Sequence, residues 1–275
     1  MQTITLNNGV EMPRLGFGVW QIPDDEATTA VTTALAAGYR SIDTARIYDN
    51  ERGVGRAVQD SDIPRDELFI TTKLWNADHE HDAALRAFDG SLNRLGLDYV
   101  DLYLMHWPVP SQDRYVDAWR AMEKVHAEGR AKAIGVSNFT QETLARLLRE
   151  TDVVPAVNQI ELHPYLVQRE MRAFHAEHGI ATEDWSPLGQ GKGLLDDPVL
   201  EKLAQRYGKS PAQVVLRWHL QLGDIVIPKS VTPSRIQENI DVFDFELAAE
   251  DVEQITGLDR AERFGPNPAT FDWLG

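Results

Sequence analysis

Short apolar, β-rich runs alternate with longer amphipathic segments along most of the chain. Eight of the short runs predict strands, at residues 15–18, 40–43, 68–73, 100–106, 131–137, 156–159, 180–185 and 225–227. The segments between them predict helices, and three have marked ends: from Asp24 or Asp25 to Gly38, from Gln112 to Gly129, and from Ser210 (N-cap) and Pro211 (first position) to Gly223. The chain is therefore predicted to consist of repeated βα units.

The first dozen residues follow a different pattern, because apolar and polar positions alternate on both sides of Asn8-Gly9. This dipeptide between alternating strands is typical of a tight β-hairpin. A hairpin followed by eight βα units predicts an α/β fold, a (β/α)8 TIM barrel with the N-terminal β-hairpin closing the bottom. We expect a single domain that spans residues 1–275.

A doubly wound Rossmann sheet is the competing α/β fold, and it requires a G-x-G-x-x-G loop between the first strand and the first helix. Gly16-Phe17-Gly18 supplies only the first two of these glycines. Gly53-Val54-Gly55 lies within a helix-like run, and the glycines at 189–193 follow the seventh predicted strand. The positions of the glycines therefore argue against the Rossmann fold.

Composition narrows the classes of function. The 275 residues carry a formal net charge of −16, which disfavours nucleic acid and anionic membranes as partners. There is no cysteine, so disulfides, thiolate metal sites and cysteine nucleophiles are excluded. Neither a signal peptide nor an apolar run of about 18 residues is visible. We expect a cytoplasmic monomer that acts on a small molecule, without a membrane or nucleic-acid partner.

Candidate chemistry lies at the C-terminal ends of the predicted strands, which converge on one face of a barrel. The residues there are Trp20, Asp43, Tyr48, Lys73, Trp75, His106, Trp107, Ser137, Asn138, Gln159, Trp185, Lys229 and Ser230. Taken singly, Asp43 is more often a turn residue, Lys73 a solvated strand end and Tyr48 a packing aromatic. Together with His106 they place four proton-handling groups at the ends of three consecutive strands, and this combination indicates a catalytic site.

Eight segments carry a specific resemblance to a known family: GFGVW, DTARIYDNE, ITTKLW, DLYLMHWP, AIGVSNF, VNQIELHP, WSPLGQG and IPKSVTPSRIQENIDVFDF. Through them the chain resembles the aldo-keto reductases over nearly its whole length, most closely the branch of bacterial 2,5-diketo-D-gluconic acid reductases and prokaryotic dicarbonyl reductases. The resemblance implies NADPH-dependent reduction of aldehydes, ketones or dicarbonyls, such as 2,5-diketo-D-gluconate or methylglyoxal-like carbonyls. It places the family's catalytic tetrad at Asp43, Tyr48, Lys73 and His106.

The segment after the last predicted strand has the features of a phosphate site. Thr232 is a good N-cap before Pro233, the free amides of a helix N-terminus favour phosphate, and Lys229 and Arg235 add positive charge. The resemblance assigns NADPH/NADP+ contacts to Ser137, Asn138 and Gln159 (carboxamide), Trp185 (nicotinamide stacking), Ser186, Leu188, Gly189 and Gln190 (pyrophosphate), and Lys229, Ser230, Val231, Arg235, Glu238 and Asn239 (adenosine phosphate). Thr232 replaces an arginine of some relatives, which would soften a preference for NADPH over NADH.

Carbonyl reduction requires a hydride at carbon and a proton at oxygen, and tyrosine is a weak acid with a pKa of about 10. An ammonium at about 4 Å contributes on the order of 4 kcal/mol at an effective dielectric near 20. We therefore expect Lys73 to lower the pKa of Tyr48, and Asp43 to keep Lys73 charged. His106 is expected to orient the substrate oxygen. Asp49 stands where the family motif usually has glycine, and its charge is expected to raise the pKa that Lys73 lowers.

Aromatic side chains are expected to form the substrate pocket. Trp20, Trp75 and Trp107 fall at the mouth of the predicted barrel, and Phe271 or Trp273 of the C-terminal tail is expected to join them. Such walls suit small sugars, dicarbonyls and aromatic aldehydes alike.

Three alternatives remain open. One is a redox-sensing scaffold that binds NADPH with little turnover. Another is a barrel glycosidase, which needs two carboxylates about 5–9.5 Å apart, here Glu161 and Asp184. A metal hydrolase would use His79-Glu80-His81, but a helix places these histidines on different sides, so we predict no metal site.

Overall fold

The computed structural model describes residues 2–275 and contains a hairpin followed by eight parallel strands. The hairpin strands are β1 (Thr3–Thr5) and β2 (Glu11–Pro13), and the barrel strands are β3 (Phe17–Gly18), β4 (Ser41–Asp43), β5 (Phe69–Leu74), β6 (Val100–Met105), β7 (Ala131–Ser137), β8 (Val157–Glu161), β9 (Ala181–Trp185) and β10 (Ile225–Val226). The barrel strands are hydrogen-bonded to one another in chain order. Each predicted strand overlaps one of them, so the predicted strand pattern is confirmed.

The first and last barrel strands meet and close the sheet. Leu15 forms a parallel bridge with Val226. The Gly16 amide donates to the carbonyl of Val226 at 2.9 Å, and the Gly18 amide donates to that of Pro228 at 3.1 Å. The predicted (β/α)8 barrel is therefore the fold of this chain.

Within residues 2–275 there are ten α-helices: α1 (Asp24–Ala37), α2 (Glu51–Gln59), α3 (His81–Leu95), α4 (Tyr115–Ala127), α5 (Gln141–Glu150), α6 (Arg169–Glu177), α7 (Pro198–Tyr207), α8 (Pro211–Leu222), α9 (Pro233–Ile240) and α10 (Ala249–Thr256). Helices α1 and α8 have the predicted bounds, and Gly38 ends α1 with a φ of 107°, which glycine adopts readily. Helix α4 begins at Tyr115 instead of Gln112, because Asp113 has a left-handed backbone with φ 52°. None of these helices is both long and apolar enough to cross a membrane.

The N-terminal hairpin covers the bottom of the barrel, as predicted. Strands β1 and β2 are antiparallel, with Ile4 opposite Met12. The loop contains Gly9 at φ 85°, and the Leu6 amide donates to the carbonyl of Val10 at 2.8 Å. Leu6 and Met12 are buried in one apolar cluster with Phe69, Leu102, Leu104, Ala133, Ala156, Val157 and Ile225.

Two larger apolar clusters fill the layer between the barrel and the helices. The main one contains large, fully buried side chains such as Phe17, Phe88 and Trp119. A second one joins α7, α8 and α10 through residues such as Leu200 and Trp218. Burial of each large apolar side chain contributes about 1.5–3 kcal/mol. This packing holds the strands in place, so that the residues at their C-terminal ends have defined positions.

Candidate active site

Lys73 and Asp43 form a buried ion pair on the neighbouring strands β5 and β4. Lys73 Nζ lies 2.5 Å from Asp43 Oδ1 and also donates to the Thr44 carbonyl at 3.0 Å. Burial alone would lower the pKa of Lys73, but Asp43, Tyr48 and Glu183 together raise it above its usual value. The ammonium is therefore charged, and one of its three N–H donors is left for a further partner.

Tyr48 lies beside this ammonium. It ends a 3-10 turn, Arg46–Tyr48, that follows β4, and its ring centre is 5.0 Å from Lys73 Nζ. Burial raises the pKa of Tyr48 above its usual value, although Lys73 acts to lower it and Asp43 opposes Lys73. The predicted net lowering is therefore wrong, because the cost of a buried phenolate outweighs the lysine. Tyr48 consequently keeps its proton at neutral pH.

Asp49, the unusual residue of this loop, is directed away from the site. Its Oδ1 lies 2.6 Å from Arg46 Nη1, and its side chain is largely exposed. The buried groups Lys73, Asp43 and Glu183 act on the pKa of Tyr48, whereas an exposed, paired carboxylate is screened by water. The geometry therefore does not support the predicted effect of Asp49. Its φ of 53° explains why glycine suits this position.

His106 follows β6 and is almost fully buried. Its ring centre lies 5.6 Å from that of Tyr48 and 5.2 Å from that of Trp75, both edge-on. Burial, followed by the charge of Lys73, holds the pKa of His106 well below its usual value. The imidazole is therefore neutral and carries one N–H. Its Nδ1 has no hydrogen-bond partner in the described part of the chain.

The predicted carboxamide residues lie together at the ends of β7 and β8. Ser137 Oγ donates to the Gln159 carbonyl at 2.9 Å. Asn138 Nδ2 donates to Ser137 Oγ and to the His106 carbonyl, both at 3.0 Å, while its Oδ1 accepts from Trp185 Nε1 at 2.8 Å. Asn138 thus fixes the loop of His106 and the ring of Trp185, the predicted stacking residue.

Gln159 connects the predicted carboxamide residues to the Lys73–Asp43 ion pair. Its Nε2 donates to Asp43 Oδ2 and to Glu183 Oε2, both at 2.9 Å. Glu183 is fully buried in β9, and it was not among the residues predicted from the sequence. The alternation of side chains along a strand could have indicated Glu183. It precedes Trp185 by two positions, and residues two apart in a strand share one face of the sheet.

The predicted pyrophosphate residues follow β9 in one short loop: Ser186, Leu188, Gly189 and Gln190. Gln190 Nε2 donates to Ser186 Oγ at 2.7 Å, and the Gly189 amide donates to the Ser186 carbonyl at 3.0 Å. Lys192 Nζ ties the loop to the C-terminal tail through the carbonyl of Phe264, at 2.9 Å. The loop is therefore folded and anchored at this side of the barrel.

Several non-glycine residues have a left-handed backbone: Gln21, Asp49, Val109, Asp113, Asn138, Gln168, Ser186, Gln190 and Ala261. Most of them follow the C-terminal ends of barrel strands. Val109 is the most costly, because it is β-branched and its φ is 43°. Such strain concentrates at functional sites, where the surrounding packing compensates for it.

The predicted adenosine phosphate site surrounds the start of α9. Lys229, Val231 and Arg235 are exposed, whereas Ser230 and Asn239 are buried. Glu238 is half-buried and accepts a hydrogen bond from the Ser210 hydroxyl.

Thr232 occupies the N-cap position of α9, but its side chain forms no capping hydrogen bond. Its amide instead donates to Ser230 Oγ at 3.1 Å, so the predicted cap is correct in position and wrong in its hydrogen bond. Within residues 2–275, neither Lys229 nor Arg235 has an acidic partner. Two free cations beside uncapped amides suit a phosphate group.

An aromatic cluster surrounds the mouth above His106. Trp75, Trp107 and Val109 are its buried members, and Ile47, Trp185 and Phe271 pack against them. Trp107 and Phe271 have ring centres 4.3 Å apart, and Trp75 meets Trp273 at 5.2 Å. Trp20, the third predicted pocket residue, lies exposed after β3 and outside this cluster.

The C-terminal tail is held over this mouth by its backbone. Trp75 Nε1 donates to the Leu274 carbonyl at 2.7 Å, and Asn76 Nδ2 donates to the Trp273 carbonyl at 2.9 Å. Both donors follow β5, the strand that carries Lys73. Asn76 was not among the residues predicted from the sequence.

The carboxylates of the glycosidase alternative do not share a pocket. Glu161 accepts hydrogen bonds from the amides of Phe264 and Gly265, and thereby anchors the tail. Asp184 instead faces α8, where its Oδ2 lies 2.7 Å from His219 Nδ1. The two carboxylates therefore cannot flank one scissile bond, and the glycosidase alternative is wrong.

The histidines of the metal alternative also lie apart. His79 is buried with no hydrogen-bond partner in residues 2–275, whereas His81 is bonded to Asp82 at the start of α3. In the described part of the chain, no cluster of three or more His, Asp or Glu side chains could hold a metal ion.

Comparison with known proteins agrees with this geometry. The model of the Aldo/keto reductase family matches residues 14–260. An aldo-keto reductase of Mycolicibacterium smegmatis is 56% identical over 272 residues, which cover 99% of this chain and 98% of that protein. The methylglyoxal reductase DkgA of Escherichia coli (strain K12) is 55% identical over 269 residues, 98% of this chain and 97% of that protein.

Solved structures give the same result. The aldo/keto reductase from Brucella melitensis is 57% identical and superimposes with a TM-score of 0.91 over 94% of this chain and 98% of its own. A Gox0644 mutant in complex with NADPH is 48% identical, with a TM-score of 0.95 over 99% of both chains. On the family match and these identities, this chain belongs to the aldo/keto reductase family.

Proposed function

We propose that this protein reduces small aldehydes, ketones or dicarbonyls to alcohols, with Tyr48 as the general acid. The observation that carries the proposal is the buried Lys73–Asp43 pair, whose ammonium lies 5.0 Å from the Tyr48 ring centre at the mouth of the barrel. Membership of the family makes the chain an NADP-dependent oxidoreductase, as the sequence predicts. When bound, NADPH supplies a hydride for the carbonyl carbon.

Tyr48 is suited to supply the proton. Its pKa is raised by burial, so the phenol is protonated when the substrate arrives. Lys73 has one N–H donor beyond those given to Asp43 and Thr44, and its positive charge stabilises the negative charge that develops on the phenol oxygen. The proton therefore leaves Tyr48 most easily when a substrate oxygen accepts it.

His106 is suited to orient the substrate. Its imidazole is neutral, because burial and Lys73 hold its pKa well below its usual value. A neutral ring donates a hydrogen bond without adding a second full charge beside Lys73. With edge contacts from Tyr48 and Trp75, the ring has little freedom to turn.

The chain's own residues fit NADPH. Lys229, Arg235 and the uncapped amides of α9 would hold the adenosine phosphates, because they offer positive charge that no acidic residue of the described chain neutralises. Trp185, with its ring fixed by Asn138, would pack against the nicotinamide. Gln159 would face the carboxamide.

For the substrate, we favour small dicarbonyls. The cluster of Trp75, Trp107 and Phe271 narrows the mouth, and among the relatives at 53–56% identity are several named methylglyoxal reductase DkgA. A methylglyoxal-like compound or 2,5-diketo-D-gluconate presents a carbonyl next to other polar groups, which the His106 N–H can help to orient. The protein is proposed to work as a cytoplasmic monomer.

NADPH oxidation measured across a panel of dicarbonyls, keto-sugars and aldehydes tests the activity and the class of substrate. The Tyr48→Phe variant tests the mechanism. It should lose carbonyl reduction while it still binds NADPH in a fluorescence titration, since the phenol oxygen supplies only the proton. Turnover close to that of the unmodified enzyme would refute the role of Tyr48, and a lack of NADPH oxidation with every carbonyl would refute the proposed function.

A further inference from the structure

Glu183 is a buried acid that neither the tetrad nor the cofactor contacts include. It lies in β9 with no exposed surface. Its Oε2 accepts from Gln159 Nε2 at 2.9 Å, and the same nitrogen donates to Asp43 Oδ2 at 2.9 Å. Its Oε1 has no hydrogen-bond partner in residues 2–275. One amide nitrogen therefore joins Glu183 to the carboxylate that holds Lys73.

The charges in this network do not balance if every acid is ionised. Asp43 and Glu183 supply two carboxyl groups, whereas Lys73 supplies one ammonium, and all three are buried. Burial, followed by the charge of Asp43, raises the pKa of Glu183 to about 8, although Gln159 and Lys73 act to lower it. At neutral pH Glu183 therefore holds its proton.

The other charged groups near Glu183 do not change this balance. From its own strand, Asp184 also raises the pKa of Glu183, but it contributes least. Tyr48, in the turn after β4, carries no charge until its own phenol ionises. An ionised Glu183 raises the pKa of that phenol. Strands β4, β5 and β8 contribute the groups already named.

Asp43 fixes the orientation of the Gln159 amide, and Glu183 accepts from the same amide nitrogen. Asp43 is ionised against Lys73, so it accepts a hydrogen bond and cannot donate one. The nitrogen of Gln159 must therefore face the acids, and the reversed amide would place oxygen against oxygen. No residue of the described chain donates to Gln159 Oε1. This oxygen is the part of Gln159 that is left to accept a hydrogen bond from a carboxamide.

We propose that Glu183 is a positioning residue of the reductase site. Together with Asp43, Glu183 holds the Gln159 amide in one orientation. While Glu183 is protonated, it adds no second negative charge beside Tyr48 and Lys73. The proposal rests on the function proposed above. It adds a proton-holding acid on β9 that acts through Gln159 and Asp43 and does not touch the substrate.

The pH dependence follows from the order of ionisation. As the pH rises, Glu183 loses its proton first, and its carboxylate then raises the pKa of both Tyr48 and Lys73. Reduction needs the Tyr48 proton, so its alkaline limit lies at higher pH when Glu183 is ionised. Glu183→Gln imitates the protonated acid at every pH, since its carbonyl accepts from Gln159. We expect the alkaline limit of reduction to lie about one pH unit lower in this variant than in the parent enzyme.

The first measurement does not depend on catalysis. In protein with 13C-labelled glutamate carboxyls and no added cofactor, one resonance should titrate with a midpoint near pH 8, and Glu183→Gln should lack it. The second measurement is the pH profile of kcat/KM for NADPH-dependent reduction. Its alkaline limb should move to lower pH in Glu183→Gln, while Glu183→Asp, which keeps an ionisable group, should stay closer to the parent enzyme.

Asp184→Asn is the matched control. It makes the same acid-to-amide change in the next residue of β9, but on the face that meets His219. It should leave the alkaline limb in place, even if both variants lower the melting temperature. Superimposable limbs for Glu183→Gln and the parent enzyme, or no glutamate that titrates above about pH 7, would overturn the proposal. If the parent enzyme reduces no carbonyl, the proposed function fails, and the titration alone decides the state of Glu183.

Discussion

Replacement of Lys73 by methionine removes the positive charge beside Tyr48 and keeps most of the side-chain volume. With the ammonium 5.0 Å from the ring centre, its attraction for a phenolate is about 3 kcal/mol at an effective dielectric near 20. This corresponds to about two units in the pKa of Tyr48 and to a fall in kcat of about 100-fold. The expected result is therefore a large loss of turnover.

The same change leaves Asp43 buried without its cation. Loss of one member of a buried pair costs about 3–5 kcal/mol of stability, which by itself lowers activity if the protein unfolds. The double variant Lys73→Met/Asp43→Asn separates the two effects, because it removes the unpaired carboxylate. We expect its melting temperature to recover towards that of the parent enzyme, while kcat stays low.

The assay is steady-state oxidation of NADPH with a saturating carbonyl substrate, together with circular dichroism and a fluorescence titration of NADPH. Lys132→Met is the matched control, because Lys132 pairs with Asp101 at 3.1 Å at the opposite end of the barrel. Its kcat should match that of the parent enzyme. A folded Lys73→Met enzyme with kcat within threefold of the parent, which is about 0.7 kcal/mol, would refute the role given to the ammonium.

Three further predictions concern single residues. Arg235→Ala should raise KM for NADPH about tenfold and leave KM for NADH unchanged, because the exposed guanidinium has no other partner in the described chain; steady-state kinetics with both cofactors measure this. Since the pKa of His106 lies well below its usual value, kcat/KM should show no inflection at about pH 6.5. An inflection there that disappears in His106→Gln would contradict the neutral ring. Asp49→Gly should give a pH–rate profile superimposable on that of the parent enzyme, because Asp49 pairs with Arg46 at the surface. A shift in either limb of the profile would show that the charge of Asp49 acts on Tyr48 and would contradict this prediction.

Local signals in the sequence were sufficient for the bounds of helices α1 and α8. Gly38 and Gly223 end helices because each adopts a left-handed backbone, and Ser210 begins α8 with a capping box. These are properties of a few adjacent residues. The start of α4 was less predictable, because a 3-10 turn, Pro110–Gln112, and the left-handed backbone of Asp113 precede it.

The electrostatics of the site depended on information that one sequence does not contain. The sequence identified Lys73 and Tyr48, but the direction of the Tyr48 pKa shift follows from burial, which only the folded barrel determines. The charge of Asp49 was expected to act on Tyr48, but its carboxylate pairs with Arg46 at the surface. Glu183 joins the site through Gln159, a contact between neighbouring strands that only the barrel register brings about.

The attachment of the tail has a consequence for the evolution of substrate range. Trp75 and Asn76 bind the tail through the main-chain carbonyls of Leu274 and Trp273. A main-chain carbonyl is present at every residue, so these two hydrogen bonds tolerate any side chain that the tail carries. Mutations can therefore change the side chains that the tail carries beside the proposed substrate pocket without detaching the tail. The hydrogen bonds that hold this variable segment thus come from the two residues directly after β5, the strand that carries Lys73.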